Sequence, residues 1–299
     1  MGNPSDRFQT DLSAGVALLI GGAMWGLYWI PVRFLADIGL IGSWPGVVMY
    51  AAALIGVMPF LWRGRELLVR HWRELIFSGV FTGAAFSLYT TSLVYTDVVR
   101  SILLFYLTPI WGTILGLVFL SERLDASRIM GLVCGLGGLF VVLGGGHGLP
   151  LPRNAGDWIA LSSGMVWALG SLGLYRAGRV PVPGQVFAFL VGALVIGALA
   201  VVLEIQLGQG IPAQQVFRSS VPYVALSAVF VIPMLFLTVW PATLLSPARV
   251  GLLLMSEVVV GLFSAALFAN EAFGWREFIG AVLIVSAAVI ELMPRSSKA

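Results

Sequence analysis

Long apolar stretches separated by short polar punctuation run along the whole chain. One of them, "GLVFLSERL" (Gly116–Leu124), stops at an acid, Glu122. A close counterpart, "AALFANEAF" (Ala265–Phe273), stops at Glu271. Charge, Gly and Pro divide the sequence into about ten such runs, near 12–35, 44–62, 74–95, 98–120, 127–145, 156–176, 184–204, 220–242, 247–269 and 275–293. Each approaches the roughly 20 apolar residues that a helix needs to cross a bilayer. Alternation with a period of two is absent, which excludes a membrane β-barrel. The pattern therefore predicts an all-α polytopic membrane protein with ten transmembrane helices.

Composition agrees. Of the 299 residues, 59% are hydrophobic and only 10% charged, whereas a soluble domain carries about 25% charge. The 36 glycines suit membrane helices, whose backbones approach closely where side chains are small. Cys134 is the one cysteine, so neither an intrachain disulfide nor a thiolate metal site is expected. The net charge of +3 is spread over connecting segments and forms no concentrated basic face of the kind nucleic acid requires. The apolar run after Met1–Asp11 continues past Ile30, too long for the core of a signal peptide, and reads as a retained first helix.

Basic residues set the orientation, because cytoplasmic segments collect Lys and Arg. With the N-terminus inside, the inner segments hold twelve basic residues and the outer ones five. Both termini are therefore expected in the cytoplasm, with "WRGRELLVRHWREL" (Trp62–Leu75) as the strongest anchor. Glu122 and Glu271 are 149 positions apart (271 − 122), and the same shift places Arg249 on Arg100, Leu253 on Leu104, Gly261 on Gly112, Phe268 on Phe119 and Gly280 on Gly131. "MWGLYW" (Met24–Trp29) corresponds to "VWALGS" (Val166–Ser171) at an offset of 142. The expectation is a duplicated five-helix unit, residues 1–148 and 149–299. Since five is odd, the second copy is inverted, and inverted repeats place a site near mid-membrane where the halves meet.

Ionisable groups inside spans are costly, about 2.5–3.5 kcal/mol on insertion scales. Glu257 is the one near the middle of a run; it shares a helix face with Gly261 and Ser264. It is a candidate for coupling, as a proton-linked carboxyl or a ligand for a substrate amine, against the plainer role of a neutral carboxyl bonded to a neighbouring helix. The position matching it in the first half is Thr108, which argues against a paired relay. Arg100 and Arg249 start spans four and nine. Arg100 is a gating candidate near the outer mouth, against simple snorkelling to the interface. Glu122 and Glu271 read as helix ends, with Glu122 able to pair with Arg123 or Arg128.

Polar stripes recur at helical spacing: Ser78, Thr82, Ala85, Tyr89 and Ser92; Ser101, Phe105, Thr108 and Gly112; Ser163, Trp167, Ser171 and Tyr175. Lipid gives hydroxyls no partner, so these stripes face other helices or a cavity. The expected cavity is lined by Trp25, Tyr28, Tyr89, Tyr106, Trp167 and Ser171, which suits an apolar or aromatic solute with a polar end. Trp29 is assigned to the interfacial belt. Pro109 and Pro233 should bend their spans, although Val258 stands opposite Pro109.

The stretch "PIWGTILGLVFLSE" (Pro109–Glu122) resembles the EamA repeat of the drug/metabolite transporter superfamily. So do "GDWIALSSGMVWALGS" (Gly156–Ser171) and "SEVVVGLFSAALFANE" (Ser256–Glu271), the last with Val258 where that family often has proline. The resemblance covers nearly the whole chain and is strongest to the amino-acid exporters of bacterial inner membranes, the aromatic ones included. It implies a ten-helix exporter of small metabolites with a central cavity, and the paired halves suggest alternating access; with no phosphate-binding loop or ligand cluster in the sequence, no nucleotide, metal or other cofactor is expected. A proton gradient acting through Glu257 would drive it, or flow would simply be downhill. The rivals are a nucleotide-sugar or other metabolite carrier of the same superfamily, an intramembrane enzyme and a channel. Phosphate would want basic groups in the cavity, and the one lysine, Lys298, is in the terminal tail. An enzyme lacks facing carboxylates and uses of His71 or His147 within spans. A channel lacks a filter segment.

Overall fold

The computed structural model describes residues 4–61, 65–122, 124–143, 151–178, 180–268 and 273–292. Among them thirteen helices follow one another: α1 (Pro4–Asp37), α2 (Trp44–Leu61), α3 (Arg65–Arg70), α4 (Trp72–Tyr95), α5 (Val98–Phe105), α6 (Thr108–Phe119), α7 (Ala126–Leu143), α8 (Ala155–Arg176), α9 (Val182–Gln206), α10 (Gln214–Ala242), α11 (Pro247–Leu254), α12 (Ser256–Phe268) and α13 (Trp275–Leu292). No strand occurs among the described residues. Eight stretches are long and apolar enough to cross a membrane, α5 with α6 and α11 with α12 each counting as one. The fifth expected span falls on the shorter apolar helix α7. The tenth falls on α13, which carries Arg276, Glu277 and Glu291 within 18 residues. These two helices pack along each other.

The chain buries polar side chains among its apolar core and turns large apolar ones outward. Ser78, Thr82, Ser101, Thr108, Ser163, Gln185 and Thr238 are buried, while Ile55, Phe60, Leu199, Leu226, Val229 and Leu267 are exposed. A soluble fold would have these two groups exchanged. In lipid the arrangement is the stable one, because hydroxyls then find partners inside. Several do so on their own helix: Thr82 bonds the Ser78 carbonyl at 2.7 Å and Thr238 the Met234 carbonyl at 2.8 Å.

Helix ends follow their sequences. The Asn154 side chain accepts from the Asp157 amide at 2.8 Å and so caps α8. Proline opens α6, α9 and α11 within their first two positions. Two expected spans, 98–120 and 247–269, are broken rather than continuous. The first breaks at Tyr106–Leu107, just before Thr108-Pro109, where the proline supplies no amide to continue the ladder. The second breaks at Met255, which has no proline beside it. Pro233, expected to bend its span, lies within the unbroken α10.

Helix α4 packs on α8 and α9, α1 on α10 and on α11 and α12, α2 on α9 and α10, α8 on α5 and α6, and α6 on α11. Where α4 crosses α9 the backbones touch. A methyl on Gly79 would lie 2.5 Å from the Ala188 carbonyl oxygen, and one on Gly83 would strike Gly192 and the Ala193 amide. Only hydrogen side chains allow that approach.

Candidate functional site

The broken span α11–α12 places Glu257 in the first turn of α12, where the half-helix N-terminus favours a negative group. The carboxyl is buried, 1% exposed. Tyr89 of α4 donates its hydroxyl to Oε1, and Tyr106, at the break of the other span, donates to Oε2 at 2.5 Å. The Tyr106 hydroxyl also lies 2.7 Å from the Leu254 carbonyl, which the second break leaves free. One phenol from the first break thus ties together the carboxylate and the open carbonyl of the second. Among the described residues no ion pair reaches Glu257.

Beside the carboxyl is a cavity lined by Trp25, Ala85, Phe86, Tyr89, Phe105, Trp167, Phe189, Leu254 and Glu257. It encloses about 300 Å³ of space between atoms, so finely divided by the rings that almost none of it would hold more than a water. The rings form a continuous wall: Trp167 to Phe189 at 6.0 Å between centroids, Phe189 to Phe86 at 5.4 Å, Phe86 to Trp25 at 5.0 Å, Trp25 to Tyr89 at 6.1 Å, Tyr89 to Phe105 at 4.9 Å. Most are edge-on or tilted, the favoured geometry for aromatic pairs. The Trp25 indole N–H is held by Thr238 Oγ1 at 2.9 Å. The Trp167 indole N–H, also buried, has no partner among the described residues.

Of the six residues expected to line the cavity, Trp25, Tyr89 and Trp167 do. Tyr106 stands behind Glu257 as its second donor. Tyr28 packs on Trp25 at 5.4 Å and bonds Thr90 at 3.0 Å, behind the wall. Ser171 turns back to the Ala168 carbonyl at 2.9 Å and lies outside the lining. Trp29 is buried, its indole bonded to Ser264 at 2.9 Å, rather than in an interfacial belt. Phe86 and Phe189 join the wall without having been singled out; aromatic residues are too common in apolar runs for sequence to select them.

Two ion-pair knots close the ends. Arg100 binds Asp157 at 2.5 and 3.1 Å and the Leu151 carbonyl at 3.1 Å. Asp157, fully buried, also accepts from Thr96 Oγ1 at 2.7 Å and the Arg153 amide at 2.9 Å. Arg33 joins the same end through the Leu93 and Thr96 carbonyls, at 2.7 and 2.6 Å. Arg249, the position matching Arg100, pairs with Glu291 at 3.0 Å and with Asp11 at 3.3 Å. Asp11 and Arg33 are 22 residues apart (33 − 11) on the one helix α1, about 33 Å at 1.5 Å per residue, which is the thickness of a hydrocarbon core. The knots therefore sit at opposite ends of the bundle. The pairing of Asp157 and Asp11 was not anticipated, since each read only as an acid at a span end. Glu122 pairs with Arg128 at 2.6 Å as expected; Arg123 and Glu271 lie outside the described residues.

A helical bundle with apolar side chains outward, and a buried carboxyl beside a ring-walled cavity within, is the fold of a polytopic membrane protein. Residues 12–144 match the EamA-like transporter family. A Bacillus subtilis (strain 168) protein, "Uncharacterized transporter YoaV", is 23% identical over 158 residues, 50% of this chain and 52% of its own length. The chain thus spans about half the length of that relative. A solved protein crystal structure shares the fold, with a TM-score of 0.66 over 94% of this chain and 96% of that one, at 19% identity.

Proposed function

We propose that the chain is a transporter of small metabolites, moving solutes with an apolar or aromatic body and an amine, amino acids among them, by alternating access. The carrying observation is the buried Glu257, bonded by Tyr89 and Tyr106 beside a cavity walled by aromatic rings. The matches to the EamA-like family and to a protein described as a transporter support the class. Export from a bacterial inner membrane, with both chain ends cytoplasmic, follows the sequence resemblance and the bias of basic residues.

On this reading, residues 1–148 and 149–299 are two inverted five-helix repeats. The helix pairings favour it. Exchanging α1 with α8, α2 with α9, α4 with α10, the two broken spans, and α7 with α13 turns each major contact into another that is also present. The knots at Arg100 and Arg249 then act as the two gates, and Glu257 exchanges a proton for the solute. The lining has no basic side chain, which disfavours a nucleotide-sugar.

The test is purified protein in liposomes, loaded with labelled phenylalanine, tryptophan, leucine and their amines, with and without an imposed pH gradient. Saturable efflux above protein-free vesicles is expected for at least one solute. Flux that never saturates and shows no competition among solutes would indicate a pore instead.

A further inference from the structure

Four features of the cavity bear on the charge of its cargo. Its lining holds one carboxyl, that of Glu257, and no Lys or Arg. The arginines of adjoining helices are engaged elsewhere, Arg33 with two carbonyls and Arg100 with Asp157. Both short half-helices α5 and α11 end at the cavity, since Phe105 and Leu254 are their last residues and both line it. The C-terminal end of a helix carries partial negative charge and favours a cation. The N-terminus of α12, which would favour an anion, has Glu257 in its first turn.

The second consideration is the rings. Trp25, Phe86, Tyr89, Phe105, Trp167 and Phe189 present π-faces and edges around the carboxyl, and an ammonium gains from such faces where water is excluded. Donors point the same way. The Trp25 indole is spent on Thr238 and the Tyr89 hydroxyl on Glu257, leaving the Trp167 N–H as the lining side chain with a donor to spare. A carboxylate brought into this space would face Glu257 and two helix C-termini with a single donor to satisfy it, and a charge buried without partners is strongly disfavoured. One neutral acceptor, such as a hydroxyl, would suffice for Trp167.

We infer that the cavity selects organic monocations: amines on an aromatic or apolar body that carry no carboxylate, in preference to the zwitterionic amino acids of the same body. The inference rests on the transport reading and narrows its substrate class. Glu257 supplies the counter-charge, the ring wall supplies the cage, and Trp167 takes one acceptor. Since the rings leave room for little more than one water, they must part to admit the cargo, and the selection operates in that opened state.

The decisive comparison holds the body fixed and varies the charge. The intact protein in lipid nanodiscs is titrated calorimetrically with phenethylamine, phenylalanine and 3-phenylpropionate, and the same three are offered in the liposome assay. Phenethylamine should bind roughly tenfold or more tightly than phenylalanine, a modest difference for one unpaired charge, and phenylpropionate should not compete. Glu257→Gln should lose amine binding while keeping its thermal unfolding within a few degrees of the parent. Trp167→Phe should keep phenethylamine binding and lose the added affinity for tyramine. Phenylalanine binding as tightly as phenethylamine overturns the inference and leaves transport intact. So does phenylalanine flux without phenethylamine flux. Failure of all three to bind overturns it as well, and flux of leucine in the same vesicles would then show that the transport reading stands alone. The wild-type comparison decides the matter even if the Glu257 variant does not fold.

Discussion

The two broken spans invite comparison, because a single offset relates them. Adding 149 carries Val98–Phe105 onto Pro247–Leu254, the limits of the half-helices α5 and α11. It carries Tyr106 onto Met255 and Thr108 onto Glu257, so the breaks fall at matching places while their side chains differ. In the first, Thr108 folds back to the Phe105 carbonyl at 2.5 Å and satisfies its own break. In the second, Glu257 leaves the Leu254 carbonyl to Tyr106 and reaches two phenols instead. The difference is instructive: a matched backbone can hold an unmatched site. The break repeats because it is a backbone geometry, and the buried carboxyl occurs at one of the two breaks because the matching position, Thr108, turns to α8 instead.

The sharpest way to break that comparison is to move the acid. Glu257→Gln should lower solute exchange in liposomes by roughly 10- to 150-fold, the rate equivalent of the about 1.5–3 kcal/mol of a charge-assisted contact. Adding Thr108→Glu to it should restore nothing, since position 108 points to α8 through the Gly164 carbonyl at 3.3 Å. Restored exchange in the double variant would mean that the two breaks are interchangeable.

The knots give the next test. Asp157→Asn removes a fully buried partner of Arg100 and should destabilise the purified protein by about 3 kcal/mol. Asp11→Asn, on an acid 42% exposed, should cost less than about 1 kcal/mol. Thermal unfolding in detergent reads both, and equal losses would erase the distinction between the two ends. Smaller still is the contrast at the breaks themselves. Tyr106→Phe strips the one phenolic hydrogen that Glu257 and the Leu254 carbonyl share and should cost about 1–3 kcal/mol. Met255→Leu at the matching position should stay below about 1.5 kcal/mol. A Tyr106 variant as stable as the Met255 variant would show that the phenol carries no weight.

Much of this was legible in the chain. Apolar length located most of the spans, and the 149-residue offset, read from the sequence, carries the limits of α5 onto those of α11. Glu257 stood out because hydrocarbon makes an acid conspicuous. The break at Met255 was not legible: no Gly or Pro adjoins it, and the partners that meet it there are distant in sequence, Tyr106 at the Leu254 carbonyl and Leu19, whose carbonyl accepts from Ser256 at 3.0 Å. Pro109 did mark the other break, two residues late. Pairing of Asp157 with Arg100 was hidden for a different reason. The acids Asp11 and Asp157 are related by 146 rather than 149, so a fixed shift misses them. Ser171 misled because a serine on a polar stripe can satisfy its hydroxyl on its own helix.

The bare crossing of α4 and α9 at Gly79, Gly83 and Gly192 has a mechanical meaning. Surfaces that meet main chain to main chain have no side-chain cushion to shear, so these two helices should travel as one stiff strut. Tyr89, mounted on that strut, would carry its hydroxyl away from or toward Glu257 whenever the strut tilts. A methyl group at Gly83 would strike the Gly192 and Ala193 backbone and pry the strut into two separate helices.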